Sequence, residues 1–192
     1  VTPGIDDINL YPLLYWPVLV GAAPPDEAAC AALKSYMQNG GLLVIDTQGG
    51  DADAAGSGAG FAVGAEDSLR RDTACLDLPP MEPLTVANVL AHCFYIIHDF
   101  PGKFTGAPVW IATVAARDAD GVSPVIIGAN DWAGAWARDA FGSPAQTPLP
   151  DGEVQRVIAD RFGTNLVIYA LTGSYKADQA SLPNLLNRLS AP

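Results

Sequence analysis

A chain of 192 residues and 20.0 kDa is long enough for one complete hydrophobic core and short for two. Its net charge of −11, from ten Lys and Arg against 21 Asp and Glu, argues against phosphate backbones and anionic membrane surfaces as partners. Charged residues make up 16% against a usual share of about 25%, and no apolar run approaches the roughly 20 residues of a spanning helix; with 49% hydrophobic residues, this suits a sheet covered on both faces.

Residues 1–9 are polar and turn-like, and Leu10 to Trp16 then reads as an aromatic-rich strand ending at Pro17. Pro24 and Pro25 open a helix with Asp26 and Glu27 in its first turn, where negative charge suits the helix dipole. Ala29, Ala32, Leu33, Tyr36 and Met37 form its buried stripe. The helix ends at Asn39, Gly40 and Gly41 release the backbone, and Leu42 to Ile45 suit a strand buried on both faces, with Asp46, Thr47 and Gln48 at its exit. Residues 10–46 therefore predict a parallel strand, helix, strand crossover.

Gly49 to Gly64 is so poor in bulky side chains that a mobile loop is expected. Glu66 to Leu76 predicts a short helix, Pro79, Pro80 and Pro83 an extended connection, and Val86 to Ala91 a helical turn leading to a strand at Cys93 to Ile97. Val109 to Val114 and Val125 to Gly128 read as strands joined by a hairpin turn at Asp118 to Gly121, an antiparallel pair at one end of the sheet. Asn130, Asp131 and Trp132 follow, with Asp131 near the cap of a helix over Ala133 to Phe141. The longest helix is expected from Glu153 to Thr172; its Leu166 to Leu171 portion is apolar on every side and is placed in the middle of a face. Ser181 and Pro183 begin a last short helix.

The candidate chemistry gathers at the strand exits, because ligands of open parallel sheets bind at the carboxyl ends of the strands. Tyr15 and Trp16 leave one strand, Asp46, Thr47 and Gln48 a second, and Asn130, Asp131 and Trp132 a third. Side by side, these would line a crevice suited to a polar or sugar-like ligand. Asp46 could equally cap the next turn, and Trp132 with Trp136, four apart, could be a core pair. Thr47 is a hydroxyl at a sharp turn without a local base. His92, Cys93, His98 and Asp99 crowd together, yet neighbours diverge and the two histidines would lie about 20 Å apart along a strand, so no metal is expected. His98 beside Asp99 remains an acid/base candidate. The loose Gly58-Ala59-Gly60 echo of a phosphate loop has neither the spacing nor the lysine, and no cofactor is expected. Cys30, Cys75 and Cys93 are odd in number and read as small core residues, with a slight lean towards the cytoplasm from free thiols.

Four segments carry a resemblance: Tyr11 to Pro17, Met37 to Thr47, Val125 to Ala133 and Arg161 to Asp178. They resemble the markers of a bacterial family of domains of unknown function, family 4159, similar in fold to class I glutamine amidotransferases. The resemblance implies a three-layer α/β sandwich of flavodoxin-like type with a mostly parallel central sheet, all of residues 1–192 forming one domain. It also implies the carboxyl-terminal, soluble part of a membrane-anchored protein whose amino end resembles the Bat aerotolerance proteins, on either side of the membrane. Val1 as first residue, Met37 as first Met and the lack of a signal-peptide pattern agree with an excised piece. Amidotransferases of this type place a cysteine at the turn where Asp46 and Thr47 stand here, and no histidine follows His98, so the glutaminase triad is missing. The expectation is a noncatalytic domain binding a small polar ligand or a protein, with Lys176 and Asp178 as a second cluster and membrane contact only through the parent chain. The alternative is a hydrolase with Asp46 or Asp131 as general base and His98 as partner, which would need burial to raise the carboxyl pKa.

Overall fold

The computed structural model describes residues 1–49, 65–116 and 121–172. All but the first residue of the expected loop over 49–64, most of the hairpin turn at 118–121, the last helix and the Lys176/Asp178 cluster lie outside these residues.

Five strands form one mixed sheet in the order β1 (Leu13–Pro17), β2 (Leu42–Asp46), β5 (Val125–Gly128), β4 (Trp110–Ala112), β3 (Met81–Pro83). β1, β2 and β5 are parallel, and β4 runs antiparallel to both β5 and β3. The parallel crossover and the antiparallel pair agree with the expectation. β3 adds an edge strand where the prolines had suggested only an extended connection.

Helix α1 (Glu27–Gln38) starts where the Asp26 carboxylate accepts from Ala29 N at 2.8 Å. It stops at Asn39 because Gly40 takes φ 88°, and the chain turns into β2 with Gly41 pressed against the Tyr36 ring, leaving no room for a Cβ. Alternation along β2 and β5 then divides the core. Leu43, Ile45, Val125 and Ile127 meet Leu33, Tyr36 and Met37 of α1 on one face. Leu42, Val44 and Ile126 meet Phe162, Leu166 and Tyr169 of the long helix α4 (Gly152–Thr172) on the other. Burial on both faces explains why these strands carry no polar residue before Asp46. The short helix α2 (Ala65–Thr73) lies close to the expected bounds.

Several local expectations are corrected. The first strand is shorter, because Asp7 caps a 3-10 turn at Ile8–Leu10 and β1 begins only at Leu13. Cys93 to Ile97 is not a strand: the Asn165 side chain of α4 accepts from Tyr95 N and donates to Leu90 O and Tyr95 O, replacing ladder bonds, while Phe94 and Ile96 are exposed. Helix α3 spans Trp132–Trp136 and stops short of Phe141, where the Asp139 carboxylate instead holds the amides of Phe141 and Ser143. The end of α4 is not buried all round, since Val167 and Leu171 face outward. Cys30 and Cys75 are joined in a disulfide, which ties α1 to the residue pair just beyond α2 across 45 residues; only Cys93 is the buried thiol expected.

Candidate functional site

The sheet register sets the exits of the parallel strands level: Pro17 pairs with Asp46, and Asp46 with Gly128. Asp46 shares the parity of Leu42 and Val44, so its side chain stands on the α4 face beside Tyr15. There it is fully buried. One carboxylate oxygen accepts from Tyr15 Oη at 2.7 Å and Trp132 N at 2.7 Å, the other from Gln48 N at 2.9 Å and Asp131 N at 3.2 Å. These four donors come from β1, from the turn after β2 and from the start of α3, so one side chain clasps the three exits. The Tyr15 hydroxyl in turn accepts from Ala133 N at 3.3 Å, completing the junction.

Electrostatics follow from burial. Desolvation pushes the Asp46 carboxyl above its usual value, while hydrogen bonds from Tyr15 and the amides of Gln48, Trp132 and Asp131 pull it back. Burial, and then the charge of Asp46, hold the Tyr15 phenol far above its ordinary value, so it stays a donor.

The neighbouring residues divide by role. Asp131 sits at φ 51° as N-cap of α3, with Oδ1 accepting from Gly134 N at 3.0 Å and Oδ2 lying 4.0 Å from Lys103 Nζ. Gln48, also at φ 51°, is half-buried at the same end of the sheet. Thr47 Oγ1 donates to Gly128 O at 3.3 Å, a backbone acceptor and not a base. Asn130 Nδ2 donates to Phe100 O at 3.0 Å, and its Oδ1 is buried without a partner. Trp132 is a core residue packed at a tilt against Phe162, with its indole N–H given to Phe100 O. Trp16, on the opposite parity from Tyr15, packs into the α1-side core and does not join the cluster. His98 is exposed, and among the described residues no histidine pairs with a carboxylate. Among the same residues no cluster of His, Cys, Asp and Glu could hold a metal ion.

Three polar residues missed in the sequence support this end of the molecule. Gln155 Nε2, near the start of α4, donates to Gly102 O and Lys103 O; Lys103 N and Phe104 N donate to the carbonyls of Asp131 and Asn130. The helix thus holds a loop that holds the strand exit and aims Lys103 at Asp131. Arg156, buried to 2% exposure, donates to Ala135 O, Gln146 O and Glu153 and fixes the end of α3. For Gln155 and Arg156 the only sequence signal was position, polar residues on the inward stripe of α4 that also carries Ala159 and Phe162.

Chemically, the arrangement is a clasp whose carboxylate is saturated, with half-buried Gln48 and the Lys103–Asp131 ion pair at the same strand exits. No curated protein matches the sequence. A family model described as a domain of unknown function (DUF4159) matches residues 1–171, and the chain belongs to that family.

Proposed function

We propose that this is a noncatalytic binding domain that recognises a small polar ligand or a protein through Gln48, Lys103 and Asp131, beside the Asp46 clasp. The observation that carries this reading is the occupancy of Asp46: each carboxylate oxygen already accepts two hydrogen bonds, so no lone pair is left to take a proton from a substrate. A position where related α/β folds hold reactive groups is here devoted to structure. The helix, Gly-Gly, strand, turn order and the parallel β1, β2, β5 core support kinship with class I glutamine amidotransferases. The exit turn carries Asp46 and Thr47 in place of a cysteine, and buried Cys93 donates to Asn165 O at 3.4 Å, away from that turn.

A parent protein of Bat-like, membrane-anchored type is part of the same reading, and no described helix is long and apolar enough to cross a membrane itself. The Cys30–Cys75 disulfide supports placing the domain on the oxidising side of that membrane, reversing the lean that free thiols gave.

Amide chemical-shift mapping with a panel of monosaccharides, amino acids and nucleotides tests the binding reading. Shifts centred on Gln48, Lys103 and Asp131, lost in Lys103→Ala, are the expected result. Turnover of an ester, amide or glycoside that disappears in a folded Asp131→Asn variant would replace this reading with a hydrolase.

A further inference from the structure

A cavity lies on the α1 face of the sheet, opposite the Asp46 clasp. It holds about 530 Å³, a size that suits a small organic molecule, and neither Gln48, Lys103 nor Asp131 lines it. Its floor is Leu14 and Trp16 of β1 and Leu43 of β2, with Leu33 of α1 beside them. Residues 1–5, the turn from Ala22 to Asp26 and Asp72 of α2 close the sides.

The walls are apolar, but the charge is one-sided. Asp26 and Asp72 line the cavity, and no Lys, Arg or His side chain does. Asp72 is a carboxylate with 3% exposure on a helix whose other buried residues are Ala65, Ser68 and Thr73. Arg71 approaches it through Nε and Nη2, each at 2.8 Å, and both contacts fall on Oδ1. Asp72 Oδ2 accepts from nothing among the described residues. It is not sealed either, because the side-chain atom that is both sealed and partnerless among these residues is Asn130 Oδ1. Asp72 Oδ2 therefore meets open space, and the space that Asp72 borders is this cavity.

Arg71 also donates to Ala22 O at 2.9 Å, which sets Asp72 beside the turn that ends at Asp26. There Asp26 gives Oδ1 to Ala29 N as the cap of α1, and its Oδ2 takes no hydrogen bond among the described residues. Two carboxylates thus stand against one guanidinium, and the α-amino group of Val1, at the rim, pairs with neither. The half-buried Trp16 ring adds an aromatic face, which attracts cations. An anionic guest would meet like charge, and a neutral apolar one would leave Asp72 Oδ2 desolvated and unpaired.

We propose that this cavity binds an organic cation, a primary amine on an apolar body, with the ammonium at Asp72 Oδ2 and Asp26 and the body over Leu14, Trp16 and Leu33.

Titration of the whole chain with 2-phenylethylammonium, followed by amide and indole NMR shifts, tests this. Saturable shifts at Leu14, Trp16 and Leu33 are expected, with Gln48, Lys103 and Asp131 unmoved. The neutral counterpart 2-phenylethanol should bind at least about tenfold more weakly, and 3-phenylpropionate should not bind. Asp72→Asn should weaken the amine at least about tenfold. Asp26→Asn keeps a capping side chain while removing the charge, and should weaken it about threefold. Leu19→Lys, at an exposed position of the lining, supplies a cation from the chain itself and should abolish binding. If Asp72→Asn does not fold, Asp26→Asn and Leu19→Lys decide the matter. Absence of saturable shifts at millimolar amine, equal binding of the alcohol or the carboxylate, or unchanged affinity in Asp26→Asn and Leu19→Lys overturns the proposal. So do shifts scattered over surface carboxylates that vanish at high salt, which would mark plain ion pairing.

Discussion

Asp46→Asn should lower the unfolding free energy by about 2–4 kcal/mol in urea denaturation, because an amide offers one acceptor oxygen to four donors that converge on two. Tyr15→Phe removes one charge-assisted bond and should cost about 1.5–3 kcal/mol. Tyr15 also carries a pH signature. Its folded pKa is raised above the ordinary 10.0, so the folded chain keeps a proton that the unfolded chain loses, and stability must fall as pH rises beyond that value. Unfolding measured from pH 10 upward should fall by about 1.4 kcal/mol per pH unit less steeply in Tyr15→Phe than in the parent. An unchanged slope would place the phenol in water. At this scale the sequence was partly legible. Asp46 stood out as a carboxylate ending an apolar strand, and Asp131 as a cap before a helix. What could not be read was saturation: whether a buried carboxylate is a tool or a clasp depends on backbone amides from residues 85 and 86 positions away, which no local pattern encodes.

Helices and strands were read best where one periodicity ran unopposed, as in α1, α4, β2 and β5, and worst where side chains replaced backbone partners. Asn165 feeding the Leu90 to Tyr95 segment and Asp139 ending α3 are both cases in which a remote or local polar group supplied the bonds that a strand or helix would have made. The disulfide was equally unreadable, since three cysteines permit several pairings and only the packing of α1 against the end of α2 brings Cys30 and Cys75 together. Its removal tests its weight at this scale. Reduction, or Cys30→Ser with Cys75→Ser, should cost about 2–4 kcal/mol for a closed loop of this length, seen as a lower urea midpoint. Gly128→Ala should also destabilise strongly, because a methyl there would overlap the buried Trp132 ring.

For the molecule as a whole, the unbroken apolar runs of β2 and β5 made a sheet covered on both faces predictable, and α1 and α4 supply the two covers. The place of β1 at the end of the described sheet was not predictable, because apolar residues there read as an ordinary buried strand until the strand order is known. If the domain works on the oxidising side of a membrane, alkylation of intact cells before lysis should modify Cys30 and Cys75 only after reduction; labelling without reductant would move it to the cytoplasmic side. The cross-link also closes residues 30–75 into a covalent ring that contains β2 and its carboxylate. A protease that nicks the chain once anywhere inside that ring leaves two pieces still bolted together, so the cut would be invisible on a non-reducing gel and appear as two bands once thiol is added.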